Sequence, residues 1–179
     1  TKLSETGKVF HSAISPDGKI IAYTNRVGNK ESLWLRQLET GINTELLEPV
    51  DEFYYGMKFS ADGNTLFFTR KKINAGLNLY SVSVFGGVPQ KIVDNTQGKI
   101  AVSNDGTKIA YIRYEIGVND RNNLIIADIY GKNERVISKS ESKNVFYNDL
   151  VFSPDDKKIA VAKGNPDNGS QEMALVEVD

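Results

Sequence analysis

The chain of 179 residues reads as all-β: a β-propeller in which four blades of four-stranded antiparallel sheet are visible, expected to form part of a larger propeller. Three observations lead there. The tetrapeptide Ser15-Pro16-Asp17-Gly18 returns in altered form as Ser60-Ala61-Asp62-Gly63, Ser103-Asn104-Asp105-Gly106 and Ser153-Pro154-Asp155-Asp156, a period of roughly 40 to 50 residues. Each copy is followed by a run of strand-forming residues and, about ten residues later, by a second run alternating with period two. No segment carries the apolar stripe of an amphipathic helix.

Within a unit, the first strand lies directly before the motif serine: Ser12-Ala13-Ile14, Met57-Lys58-Phe59, Ile100-Ala101-Val102 and Leu150-Val151-Phe152. In a propeller this strand stands nearest the axis. The motif is the turn that follows, and Asp17, Asp62, Asp105 and Asp155 are assigned a structural role there. A carboxylate accepts hydrogen bonds from N–H groups a residue or two onward and fixes a hairpin, whereas calcium needs six to eight converging oxygens that separate blades do not offer. Second strands follow at Lys19–Tyr23, Thr65–Phe68, Lys108–Tyr111 and Lys158–Ala162, and third strands at Ser32–Leu38, Asn78–Val84, Asn123–Ile129 and Met173–Val178. Glycine turns at Gly41, Gly86-Gly87 and Gly131 lead to short fourth strands such as Thr44–Leu47 and Gln90–Val93. The blades are placed at 9–50, 54–95, 97–139 and 147–179. The fourth unit reaches Asp179 straight after its third strand, so the edge from Met173 to Val178 is expected to pair with Thr1 to Ser4 or with another chain, giving self-association through open blade edges.

The pattern Ser15-Pro16-Asp17-Gly18-Lys19, Ile21-Ala22-Tyr23, then Leu33-Trp34, Arg36, Leu38 and Thr40-Gly41, resembles the WD40-like propeller repeat of the TolB type over nearly the whole chain. Residues 32–41 and 80–89 are also similar to repeats that follow protein-kinase or winged-helix domains in bacterial sensor proteins. The resemblance implies a bacterial, non-catalytic protein-interaction or ligand-sensing module of a larger signalling protein. The alternatives it leaves open are the substrate-gating propeller of a serine peptidase, whose hydrolase domain would lie elsewhere, and a periplasmic TolB-like envelope component. Ala61, Asn104 and Asp156 depart from the pattern, where Pro, Pro and Gly are expected, and make units two to four less ideal.

Lys plus Arg number 22 against 23 Asp plus Glu, which leaves no basic footprint for nucleic acid or an anionic membrane. Cysteine is absent, excluding disulfides and thiolate chemistry while leaving cytoplasm and periplasm both open. No apolar stretch approaches the ~18 residues of a membrane span, and residues 1–15 lack the charged start and apolar core of a secretion signal.

No Gly-x-Ser-x-Gly elbow occurs, and His11 is the single histidine, so the chain is read as a non-enzyme without cofactor or metal site. Four residues before each motif serine stand His11, Gly56, Lys99 and Asp149, a mixed ring near one mouth of the central channel. With the aromatic residues Tyr54, Tyr55 and Tyr147, the residues His11, Lys99 and Asp149 form the candidate rim for a protein or peptide partner. Against that stand two plainer roles: solvated rim for the polar residues and the wedge between blades for the aromatic ones. Trp34, Tyr80, Ile125 and Ala174 share one strand position and are assigned to inter-blade packing, and residues 165–170 to an ordinary surface turn.

Overall fold

The computed structural model describes residues 7–72, 74–115, 121–140, 145–165 and 167–178. The first sheet comprises β1 (Val9–Ile14), β2 (Ile20–Val27), β3 (Lys30–Gln37) and β4 (Asn43–Val50), and the second β5 (Glu52–Phe59), β6 (Thr65–Lys72), β7 (Leu77–Ser83) and β8 (Gln90–Val93). The third holds β9 (Gln97–Val102), β10 (Lys108–Glu115), β11 (Arg121–Asp128) and β12 (Arg135–Lys139), and the fourth β13 (Phe146–Phe152), β14 (Lys158–Asn165) and β15 (Ser170–Glu177). Strands pair antiparallel in chain order within every sheet. The fourth sheet has three strands among the described residues, the last of them the third strand expected at Met173 to Val178. Its third strand is the edge, since β15 pairs with β14 alone among the described residues. No helix of the described residues is long and apolar enough to cross a membrane.

The inner strands β1, β5, β9 and β13 lie side by side in that order, and no comparable contact joins β13 back to β1, so the described blades form an open arc. Successive side chains of a strand point to opposite faces, so each sheet shows one face to the next blade and one to the previous. The rows Ala13–Ala22–Leu35, Lys58–Phe67–Ser81 and Ala101–Ala110–Ile126 face forward. They meet the backward-facing rows Phe59–Leu66–Val82, Val102–Ile109–Ala127 and Phe152–Ile159–Val176. Three apolar cores result, one at each junction. A fully buried Leu such as Leu66 or Leu124 contributes roughly 1.5–3 kcal/mol relative to exposure.

Tyr80 stacks on Phe68 at 5.7 Å, and Ile125 and Ala174 join their junction cores, so three of the four residues assigned to inter-blade packing do pack there. Trp34 instead looks backward from the first blade, with Nε1 donating to Ser32 Oγ at 2.9 Å. At the far end the forward row of the fourth blade, Val151–Ala160–Leu175, meets no described blade, and Leu175 is 68% exposed. Apolar side chains therefore stand open at both ends of the arc, whereas the counterparts of Leu175 at Leu35 and Ile126, and of Ile14 at Phe59 and Phe152, are buried against a neighbour. The partner segment expected for β15, Thr1 to Ser4, lies outside the described residues.

The four motif turns share one hydrogen-bond pattern. The serine hydroxyl donates to the aspartate Oδ1 at 2.5–2.6 Å. That oxygen also accepts the N–H two residues on, of Lys19, Asn64, Thr107 and Lys157. The serine oxygen accepts the N–H of Ile20, Thr65, Lys108 and Lys158 at the start of the next strand. The fourth turn residue has φ of 72°, 73° and 73° at Gly18, Gly63 and Gly106, and 58° at Asp156, the left-handed region that glycine enters without strain.

The departures from the motif do not merely weaken it. The second residue of each turn meets the fourth residue of the next: a Cβ placed on Gly63 would lie 3.6 Å from Pro16 Cδ, and one on Gly106 3.2 Å from the Ala61 methyl. Between the third and fourth turns this contact becomes a hydrogen-bonded clamp. The Asn104 N–H and Nδ2 each donate to Asp156 Oδ1 at 2.8 Å, the Asp105 N–H donates to Oδ2 at 2.9 Å, and Asn104 Nδ2 also donates to Ser153 O. Proline at position 104 would have no N–H to give. Asn104→Pro, although it restores the motif, is expected to lower the midpoint of urea unfolding by an amount equivalent to about 1 kcal/mol. A midpoint at or above that of the parent chain would show that the clamp adds nothing.

Donors around the motif carboxylates hold all four below the ordinary carboxylate value, the serine hydroxyl first and the N–H two residues on second. For Asp105, which also receives the Thr107 hydroxyl, the value falls from 3.8 to about 2. The unfolded chain takes up these protons first as acid is added, so the stabilisation is whole above pH 3.8 and is lost as the pH falls toward 2. Ser103→Ala removes the leading donor to Asp105, and melting temperatures measured across this window are expected to fall less steeply for the variant than for the parent. Parallel curves would contradict the assignment.

Candidate functional site

Each inner strand is interrupted at the same place. The register slips between Val9 and Ser12, between Tyr54 and Gly56, between Gln97 and Ile100, and between Tyr147 and Asp149. A bulge leaves its extra residue out of the ladder and re-aims the side chains beside it. These bulges carry the channel positions read from the motif spacing. His11 is half-buried, its N–H donating to Thr24 Oγ1 at 3.2 Å. Burial first, and the nearby Lys99 charge second, lower the pKa of its imidazole below 6.5. Lys99 and Asp149 are exposed, and Asp149 Oδ1 accepts the Leu150 N–H.

Gly56 has a structural task. A Cβ there would lie 2.8 Å from Gly98 O and 3.4 Å from Lys99 Cα, so only glycine lets β5 and β9 approach this closely. The Thr69 hydroxyl donates to the same Gly98 oxygen at 2.6 Å. The fold thus brings His11 and Lys99 within electrostatic reach across the Gly56 backbone and places Asp149 at the equivalent register of the last blade.

Two of the rim candidates do not belong to the accessible surface. Tyr54 and Tyr147 are buried in the wedges between blades. The Tyr54 ring lies 5.4 Å from that of Phe68, and the Tyr147 hydroxyl is 3.0 Å from Ser138 Oγ. Both residues stand just before a bulge and face the preceding blade, whereas Tyr55, the extra residue of its bulge, is turned out and 41% exposed. The accessible candidates are therefore His11, Tyr55, Lys99 and Asp149.

The structure adds a charged group that the sequence pattern concealed. Glu31 is completely buried, pairs with Arg26, and accepts the Tyr54 N–H at Oε2 over 2.9 Å. It lies in phase with Leu33 and Leu35 on the apolar face of β3, which was the one sign that it turns inward. The Arg26 guanidinium sits 3.9 Å from the Phe10 ring centre and 4.7 Å from that of Phe53, at the end of the blade opposite the motif turns. Among the described residues this end offers an imidazole, an ammonium, an ion pair and partly exposed rings, which are recognition groups. Among the described residues no three His, Asp or Glu side chains converge in a metal-binding group.

No family model matches the sequence, and no curated protein does. Solved structures do. TolB from Acinetobacter baumannii aligns with a TM-score of 0.74 and 18% identity, covering 96% of this chain and 44% of that one. The fold is that of a TolB-like β-propeller. Oligogalacturonate lyase from Vibrio parahaemolyticus aligns with a TM-score of 0.67 and 19% identity over 96% of this chain and 54% of the lyase. Prolyl oligopeptidase B from Galerina marginata, bound to a 35-residue hydrolysis and macrocyclization substrate, aligns with a TM-score of 0.68 and 14% identity over 96% of this chain and 29% of the peptidase. The chain spans under two thirds of each of these proteins. Proteins named as a lyase and a peptidase thus share the architecture with TolB, and the architecture alone assigns no activity.

The environment of His11 yields a pH prediction. Its folded-state pKa lies below the ordinary value of 6.5, so the unfolded chain binds the proton first, and stability falls as the pH drops below 6.5. Melting temperatures of the parent are expected to decline between about pH 7 and pH 5, and those of His11→Gln to decline less. Equal declines would mean that His11 is as well solvated in the folded protein as in the unfolded one.

Proposed function

We propose that this chain is a non-catalytic protein-interaction module of a larger bacterial signalling protein, binding its partner at the channel mouth formed by His11, Tyr55, Lys99 and Asp149. The carrying observation is a contrast in how strictly the repeat is kept. Junction positions stay predominantly apolar from blade to blade, whereas the channel position, apart from Gly56, which strand packing requires, holds imidazole, ammonium and carboxylate in turn. Packing needs would make equivalent positions alike, so unlike residues on an accessible surface point to recognition of an asymmetric partner. The near-neutral charge favours a protein surface over nucleic acid. A second reading, the gating propeller of a serine peptidase, draws support from the alignment with prolyl oligopeptidase B.

The test compares the parent chain with a variant carrying His11→Ala, Lys99→Glu and Asp149→Lys, each immobilised and exposed to bacterial extract. Quantitative mass spectrometry is expected to find proteins retained by the parent and lost from the variant, at unchanged melting temperature. Identical sets from both would overturn binding at this mouth. Turnover of a peptide or ester substrate by the chain, abolished by His11→Ala, would overturn the non-catalytic assignment.

A further inference from the structure

A cleft of about 640 Å³ opens between the second and third blades at the end that carries the motif turns, within the size range of ligand-binding clefts. The second blade departs from the repeat twice along it. At the inner end Ala61 stands where the first and third turns place Pro16 and Asn104, and it meets Gly106 with a methyl alone. Further out, Ser81 occupies the forward-facing position that holds Leu35, Ile126 and Leu175 in the other blades. Phe67, only 3% exposed, lies at the base of the cleft, with the half-buried Ile92 and Ile129 beside it. At the mouth Tyr130, 76% exposed, stands as an aromatic wall.

Two carboxylates and one ammonium line this cleft. Asp62 and Asp105 stand at the inner end, both held in the charged form by their turns. Lys91 is paired with Asp94 at 2.7 Å, which leaves the two carboxylates as the charges without an ion-pair partner among the lining residues. From the motif turn to the outer strand the cleft crosses three strand spacings, about 14 Å, which matches roughly four residues of extended chain.

We propose that this cleft binds a short extended peptide segment of a partner protein, presenting a basic side chain to Asp62 and Asp105 and an apolar one to Ile92, Ile129 and Tyr130. The site is separate from the channel mouth, at the opposite end of the blades, and stands whether or not the mouth binds a partner. Peptide recognition here uses charge complementarity for orientation and apolar burial for affinity.

A synthetic array of random-sequence octapeptides, probed with the labelled full chain, tests it. Bound peptides are expected to be enriched in Arg or Lys next to Leu, Ile or Phe. The strongest binder, remade with Gln for its basic residue, is expected to lose at least about tenfold in affinity by isothermal titration. Ala61→Pro with Ser81→Leu installs residues that other blades carry at these positions and is expected to abolish binding without lowering the melting temperature. Tyr130→Ser, on an exposed turn, provides a second variant should the first fail to fold, with an expected loss of at least about tenfold. The mouth variant with His11→Ala, Lys99→Glu and Asp149→Lys is expected to bind the same peptides. Absence of enrichment, enrichment of acidic peptides, or undiminished binding by the filled-cleft or Tyr130→Ser variant would overturn the proposal.

Discussion

Sheet-on-sheet burial between neighbouring blades is the constraint from which most of this molecule follows. A twisted sheet of three or four strands has two faces and cannot cover either by itself, so each blade is held by the blades beside it. That is why forward and backward rows in the middle of the arc are both largely apolar, and why Leu66, Ile109 and Ile159 at equivalent positions are all fully buried. It also explains the exposed Ile14 at one end and Leu175 at the other: their residue types suit an interface, and their exposure reflects the absence of a described neighbour. Gly56 belongs to the same requirement, because inner strands must come close enough for the faces to meet.

The motif turn has two roles in this scheme. Within a blade, serine and aspartate satisfy each other and the backbone of the hairpin. Between blades, the second residue of one turn touches the fourth residue of the next, and the chemistry of that contact differs at every junction. Pro16 packs on Gly63, Asn104 clamps Asp156 through hydrogen bonds, and Ala61 meets Gly106 with a methyl alone. The least regular part of the repeat thereby decides how each pair of turns is joined.

Charge is arranged with the same dependence on the blades. Glu31 is tolerated at full burial because Arg26 neutralises it and the Tyr54 N–H satisfies its second oxygen, so the pair ties the first blade to the second. A lone carboxylate there would be strongly destabilising. The guanidinium in turn lies against Phe10 and Phe53, and His11 sits in the field of this pair and of Lys99. The polar end of the channel is thus held in place by inter-blade contacts.

Periodicity alone made the blades legible. Four motif copies and the alternation after them located the hairpins, the strand order and the open third strand of the last unit, because local turn chemistry and pleat are written residue by residue. The aspartates were assigned to turns for the same reason, and each is engaged there. The wedge between blades was one of the roles read for the aromatic residues, but which of them turns inward was not legible, nor was the burial of Glu31. A bulge shifts the alternation by one residue within the inner strand, sending Tyr54 inward and Tyr55 outward, and no local composition marks it. The clamp at Asn104 and the cleft at Ala61 and Ser81 were equally hidden, since both depend on what the adjacent blade places opposite, across about fifty residues of chain for the clamp. Strand and turn are set by neighbours in sequence, whereas accessibility, ion pairing and empty space are set by neighbours in the arc.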